Sequence, residues 1–229
     1  MSDPRVDIGL ERQLRERREL ISSGHKPLGW KAGFGAPAAQ AKLRLNGPLV
    51  GFMTDASVIA EGVEVEISAW AHAVAEPELA VTLGDDLQPR SRESATRAAI
   101  SAIGPAIELA DIDPPPESVE EILAGNIFHK GVVLGAPDPS RSGGDVSDLE
   151  ARILIGGSEH VRTDRLEELT GRVVDVVSHL SALLADHGEM IRAGEVVICG
   201  SVVPAIELAP GMSVGFELHP MAPISVAIR

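Results

Sequence analysis

Two glutamates one residue apart, Glu76 and Glu78, sit inside an otherwise apolar stretch, Ala75-Glu76-Pro77-Glu78-Leu79-Ala80-Val81-Thr82-Leu83. Side chains alternate faces along a strand, so both carboxylates project from one side. A third, Glu108, is equally isolated in Pro105-Ala106-Ile107-Glu108-Leu109-Ala110. An E-x-E pair also suits the wet face of an antiparallel sheet. The residues that follow Glu78 are too apolar for a simple surface strand, however. Neighbouring carboxylates repel, and burying either alone is costly. A hard divalent cation such as Mg²⁺ removes that conflict by taking carboxylate oxygens while keeping positions for a substrate. The chain therefore reads as a fold built around a metal site made of Glu76, Glu78 and Glu108.

Composition narrows the choices. The 229 residues suffice for one large domain or one domain with a small extension. Aromatic residues are 3%, with no Tyr, and the net charge is −14, so neither a stacking platform nor a phosphate-binding face is expected, and nucleic acid is not a partner. No run approaches a membrane span, and the charged N-terminus lacks an apolar leader core, which gives the expectation of a cytoplasmic protein with no membrane partner. The single cysteine, Cys199, lies in Val196-Val197-Ile198-Cys199 and reads as a core residue.

Patterning predicts helices over 8–22, 92–103, around 118–123 and over 172–187, the last with Val173, Val176, Val177, Leu180 and Leu184 at helical spacing. Strands are expected at 27–34, 49–53, 63–67, around the three glutamates, and at 132–134, 151–155, 195–199, 213–218 and 223–228. Residues 36–60 otherwise read as loop, and Pro114-Pro115-Pro116 ends the Glu108 strand. Strands outnumber helices without βαβ alternation, which makes the fold class α+β and mainly antiparallel. The hexapeptide Pro-Ala-Ile-Glu-Leu-Ala recurs at 204–209. Glu207 thus looks like Glu108, but it is expected in a solvated loop.

Five segments in order carry a resemblance. They are Gly29-Trp30-Lys31-Ala32-Gly33-Phe34, Glu76-Pro77-Glu78-Leu79-Ala80, Pro105-Ala106-Ile107-Glu108, Ala124-Gly125-Asn126 with Gly131-Val132-Val133-Leu134-Gly135, and Gly194 to Ser201 with Pro210-Gly211. Together they resemble the fumarylacetoacetate hydrolase superfamily, in its 2-keto-4-pentenoate hydratase and 4-oxalocrotonate decarboxylase branch, over residues 5–228. The resemblance implies a mixed β-roll with a few flanking helices. It divides the chain into an N-terminal helical segment, 1–24, and a catalytic roll, 25–229, and it implies a homo-oligomer. It also implies Glu76, Glu78 and Glu108 as ligands of Mg²⁺, or of Mn²⁺ or Ca²⁺. The activity implied is a lyase of aromatic-compound catabolism acting on small 2-oxo or 2-hydroxydienoate acids.

The chemistry agrees. A 2-oxo acid chelating the ion has its carbonyl polarised, which stabilises the enolate that hydration and decarboxylation both require. Lys31, set among apolar neighbours, is the acid/base candidate, with Asp55 as a second proton handler. Asn126 and Ser201 are candidate polar supports for substrate. His129-Lys130 either binds a substrate carboxylate or faces water. The branch often carries an Arg just after the third glutamate; here the chain reads Ala110-Asp111-Ile112-Asp113. An acylpyruvate-type C–C hydrolase on the same scaffold and a non-catalytic partner subunit are the alternatives.

Overall fold

The computed structural model describes residues 3–113 and 117–229, so Pro114-Pro115-Pro116 lies outside the described residues. The first helix, α1 (Pro4–Ser22), starts where Asp3 accepts a hydrogen bond from the Arg5 backbone at 3.0 Å and Pro4 fills the first helical position. Its inward stripe is Val6, Leu10, Gln13, Leu14 and Arg17. Ile8 points outward and is 54% exposed. Two polar residues lie inside because each has partners. Gln13 Nε2 donates to the Val50 and Leu123 carbonyls at 3.1 and 2.8 Å. Arg17 pairs with Glu189 at 3.1 Å and lies 4.4 Å over the Trp30 ring.

The strands are β1 (Pro27–Gly33), β2 (Leu49–Thr54), β3 (Glu64–Val65), β4 (Ala73–Leu83), β5 (Ile100–Asp111), β6 (His129–Leu134), β7 (Glu150–Ile155), β8 (Ser158–Thr163), β9 (Val196–Ser201), β10 (Ile206–Glu207), β11 (Ser213–His219) and β12 (Ile224–Ile228). One sheet runs β2-β1-β9-β4-β5-β6, with β10 added to β4, and the other runs β3-β12-β11-β7-β8. Among the described strands, β1–β9 and β3–β12 pair in parallel and the other pairs are antiparallel. The expected α+β, mainly antiparallel architecture is therefore the one observed. Apolar faces of the two sheets meet in one core that includes Leu79, Val81, Ile103 and Ile107 from the first and Ile153, Val214 and Phe216 from the second.

The flanking helices are α2 (Pro37–Leu43), α3 (Glu93–Ala99), α4 (Val119–Ala124) and α5 (Val173–Ala185). α5 buries Val173, Val176, Val177, Leu180 and Leu184, each worth about 1.5–3 kcal/mol of transfer free energy. The helix expected over 92–103 stops at Ala99, and Ile100 already pairs with Leu83 as the start of β5. α2 and β8 were not expected. Glu207 is not in a loop: β10 pairs antiparallel with β4, placing Glu207 opposite Val74, where it is exposed.

Candidate metal centre

Antiparallel pairing of β4 with β5 sets Glu76 directly opposite Glu108, and pairing of β4 with β9 sets Glu78 opposite Ser201. Like charges directly opposite on a sheet destabilise it. The three carboxylates nevertheless converge, each offering an oxygen within 4.8 Å of the others. Ligand oxygens on one octahedral Mg²⁺ stand about 3 Å apart when adjacent and about 4 Å apart when opposite. Glu78 and Glu108 are buried, while Glu76 is half-buried at the open edge.

Each buried carboxylate is held by one oxygen. Glu78 Oε2 accepts from the Gly200 backbone N–H at 2.6 Å. Gly200 has φ +92°, and a Cβ there would stand 2.8 Å from Thr170 Cγ2, so this anchor needs glycine. Glu108 Oε1 receives the Lys31 ammonium and, at 2.7 Å, His129 Nδ1. Glu108 Oε2 is buried with no hydrogen-bond partner. A buried, unpartnered carboxylate oxygen on a residue clustered with two other carboxylates is the observation that a bound cation accounts for. The three carboxylates and the Lys31 ammonium leave two negative charges, which one divalent ion neutralises.

The electrostatics record the same conflict. Burial, followed by repulsion from Glu108, pushes the Glu76 carboxyl up to about 7, against the pull of Lys31. Burial, then Glu108 and Glu76, pushes Glu78 well above the carboxylate range. Burial acts upward on Glu108 too, but attraction to Lys31 and the His129 hydrogen bond outweigh it and hold Glu108 below its ordinary value. The charge of the cluster thus concentrates on Glu108, where the Lys31 ammonium is.

Lys31 lies on β1 with its side chain 2% exposed, and its Nζ also donates to the Ile127 carbonyl at 3.1 Å. An ammonium has three donors, so one N–H is left for the cleft. The opposite residue on β2 is Gly51, where a Cβ would stand 2.7 Å from Lys31 Cγ. Trp30, on the other face of β1, does not shield the site. It is fully buried and donates to Glu195 Oε2 at 3.0 Å. Phe34 does line the cleft, which offers about 270 Å³ above the carboxylates.

Ser201 lines that cleft, with its hydroxyl donating to the Pro77 carbonyl at 3.2 Å. Asn126 and Asp55 are not brought there. Asn126 spends both ends of its amide on Phe52, accepting from its N–H at 2.8 Å and donating to its carbonyl at 2.9 Å. Asp55 is exposed beyond the end of β2, accepting from the Lys26 N–H and facing His25 Nδ1, both at 3.1 Å. It braces the turn after β2, and neither Asp55 nor Asn126 is among the residues that line the cleft. His129 neither faces water nor reaches for substrate, because its Nδ1 is committed to Glu108. Its position at the start of β6, opposite Ala110, is the signal that reading the strand from residue 132 passed over. Lys130 is half-exposed, 4.0 Å from Asp111.

Three carboxylates sharing a cation position under one ammonium, at the base of a small cleft, define a metal-dependent site for small carboxylic acids. The chain belongs to the fumarylacetoacetate (FAA) hydrolase C-terminal family, whose model matches residues 30–225. A 4-oxalocrotonate decarboxylase from Pseudomonas sp is 27% identical over 207 residues, covering 90% of this chain and 80% of the relative. A 2-keto-4-pentenoate hydratase from Paraburkholderia xenovorans (strain LB400) is 26% identical over 222 residues, covering 95% and 81%. The fold is shared with the 4-oxalocrotonate decarboxylase from Pseudomonas putida G7, solved with magnesium and adipate, at TM-score 0.85 and 23% identity over 95% of this chain and 83% of that one. It is also shared with the fumarylpyruvate hydrolase from Pseudomonas aeruginosa, solved with Mn²⁺ and pyruvate, at TM-score 0.68 and 16% identity over 87% and 88%.

Proposed function

We propose that the chain is a divalent-metal-dependent lyase acting on small 2-oxo or 2-hydroxydienoate acids, as a hydratase or decarboxylase of the kind its relatives are named for. The observation that carries this reading is the orphaned Glu108 Oε2 within the converged Glu76–Glu78–Glu108 cluster, beside the buried Lys31. A divalent ion held there would polarise the 2-oxo group of a chelating acid. The protein's own residues do the rest. Glu108, fixed by Lys31 and His129, keeps its free oxygen toward the cation position. Lys31 Nζ holds the proton nearest the cleft, placed to deliver it to the substrate or to bind its carboxylate. Ser201 orders the β4 backbone between the two ligand glutamates.

The hydrolytic alternative requires a base over the metal to activate water, and none of the residues lining the cleft is a histidine. His25 is engaged with Asp55 outside it. A non-catalytic partner role would suit a solvent-facing Lys31, whereas Lys31 is buried against the cluster. The helical segment 1–24 enters this reading as a brace for the roll, since α1 packs Leu10 and Leu14 into the core between the sheets and Val6 into a smaller cluster with Leu43, Leu49 and Leu123. The reading carries a homo-oligomer of the cytoplasm with no nucleic-acid partner. No described helix is long and apolar enough to cross a membrane. The test is a product assay of the purified chain with 2-hydroxypenta-2,4-dienoate and 4-oxalocrotonate, with Mg²⁺ and with a chelator. Metal-dependent turnover of either supports the reading, and turnover unaffected by chelation overturns it.

A further inference from the structure

The walls of the cleft say what the far end of the substrate is. Above the carboxylates they are made by Phe34, Ile112, Phe128, Leu169, Val203 and Ala205, with Thr170 and Ser201 as the only uncharged polar side chains. Lys31 is the one cation in the lining, and its charge is already shared with Glu108. No Arg or His reaches the lining, and the residues that follow the Glu108 segment, Asp111-Ile112-Asp113, bring no cation. Of this stretch only Ile112 faces the cleft. Lys130, the nearest alternative in sequence, lines a different cavity and lies against Asp111.

Charge accounting sharpens the point. One divalent ion neutralises the three carboxylates and Lys31, so the 2-oxo carboxylate already brings the site to one net negative charge. A second carboxylate at the distal end would enter an apolar pocket without a counter-charge, where its lost hydration is not replaced. An alkyl or alkenyl tail would instead cover apolar surface and expel water.

We infer that the site selects 2-oxo monocarboxylates with a short apolar tail and discriminates against 2-oxo dicarboxylates, the selection being made by the apolar wall of Phe34, Phe128 and Leu169 and by the lack of a second cation. The inference rests on the metal-dependent 2-oxo acid reading above and assigns it to the hydratase side, since 4-oxalocrotonate is itself a dicarboxylate.

The test measures binding, so it does not depend on turnover. Calorimetric titration of the full chain with saturating Mg²⁺ compares 2-oxohexanoate with 2-oxoadipate, which differ only in the terminal group. The monoacid is expected to bind about 10–100-fold more tightly, the penalty of leaving a charged group unpaired in a poorly hydrated site. Ala39, half-buried on α2 and facing the cleft, is the position from which to add a cation. Ala39→Arg should narrow the gap by improving 2-oxoadipate binding, and Ala39→Gln should leave it. Equal or tighter binding of the diacid to the wild-type chain overturns the inference, as does a gap that Ala39→Arg leaves unchanged. Turnover of a dienoate with no preference for the monoacid would spare the lyase reading and remove this one. Mg²⁺-dependent preference for the monoacid without turnover of either assay substrate would do the reverse.

Discussion

Stripped of divalent ions, the protein should lose stability as the pH rises from about 5 to about 8, and Mg²⁺ should abolish that loss. The perturbation is chelation, and the magnitude follows from Glu76. Its carboxyl is pushed from an ordinary 4.5 up to about 7 by burial and by Glu108. A group whose folded value is raised keeps its proton in the native state after the unfolded chain has released it. Its contribution is complete below the unfolded value and disappears as the pH climbs through the folded one. At about 1.4 kcal/mol per unit, this amounts to about 2–3 kcal/mol across the window. Glu76 is half-buried, so screening by solvent favours the lower end. Glu78, raised in the same sense by burial, adds to the loss. Glu108, held low, titrates in the opposite sense, but its window lies below the ordinary carboxylate value and outside the range tested.

His179 works against this trend, because burial lowers its value and favours the neutral ring, so its contribution grows as the pH rises toward 6.5. It is far from the cluster, hydrogen-bonded to the Pro48 carbonyl at 3.0 Å, and is common to both samples. The quantity to measure is therefore the difference between Mg²⁺-loaded and chelated protein, by thermal unfolding at each pH. For a domain of this size, 2–3 kcal/mol corresponds to a Tm difference of about 5–10 °C at the alkaline end, shrinking toward pH 5 as protons replace the metal. A Mg²⁺ increment that is absent, or is the same at both ends of the window, would refute the account of a carboxylate cluster shared between protons and a cation.

Three further outcomes are expected. Glu108→Ala should weaken Mn²⁺ binding, read by calorimetry, at least ~100-fold, whereas Glu207→Ala should leave it unchanged despite the identical hexapeptide; equal losses would remove Glu108 from its role. Lys31→Met should cut turnover by at least ~100-fold, within the range of a lost general acid, while Mn²⁺ still binds and the fold persists by circular dichroism; full turnover would shift the proton chemistry to bound water. His129→Leu should weaken Mn²⁺ binding about 10–100-fold, as loss of a ligand-orienting hydrogen bond does, and His129→Asn, which retains a donor at the Nδ1 position, should recover most of it; wild-type affinity in the leucine variant would make His129 a packing residue only.

The clustering of Glu76, Glu78 and Glu108 was legible because an isolated charge in an apolar strand is a contradiction that only a partner resolves. The fold class was legible from period-two patterning. What failed did so where local sequence underdetermines structure. Ile100-Ser101-Ala102-Ile103 suits a helix as well as a strand, and pairing with β4 decides it for the strand. α2 buries only Leu43, so it leaves no apolar stripe to detect. β8 lies at a sheet edge with mostly exposed polar residues, and its alternation is too weak to read. β10 is two residues long, and it exists because β4 offers it an edge.

The surroundings of Asn126 and His129 were illegible for a different reason, and it bears on how the site is held. Asn126, Ile127 and Phe128 all have positive φ, at 51°, 50° and 63°. Such a conformation is rare for any residue except glycine and is strained for a β-branched one, at about 1–3 kcal/mol each. Nothing in the sequence announces it, since no glycine occupies the three positions. The two-ended clamp of the Asn126 amide on Phe52 offsets part of the strain and ties the turn to β2. The result is a segment in which three consecutive groups face the same centre. The Ile127 carbonyl meets Lys31, the Phe128 ring walls the cleft, and the His129 ring meets Glu108. Residue type alone suggested that Asn126 would touch substrate. Its amide clamp and backbone conformation set the turn that carries Ile127 to Lys31, Phe128 to the cleft wall and His129 to Glu108.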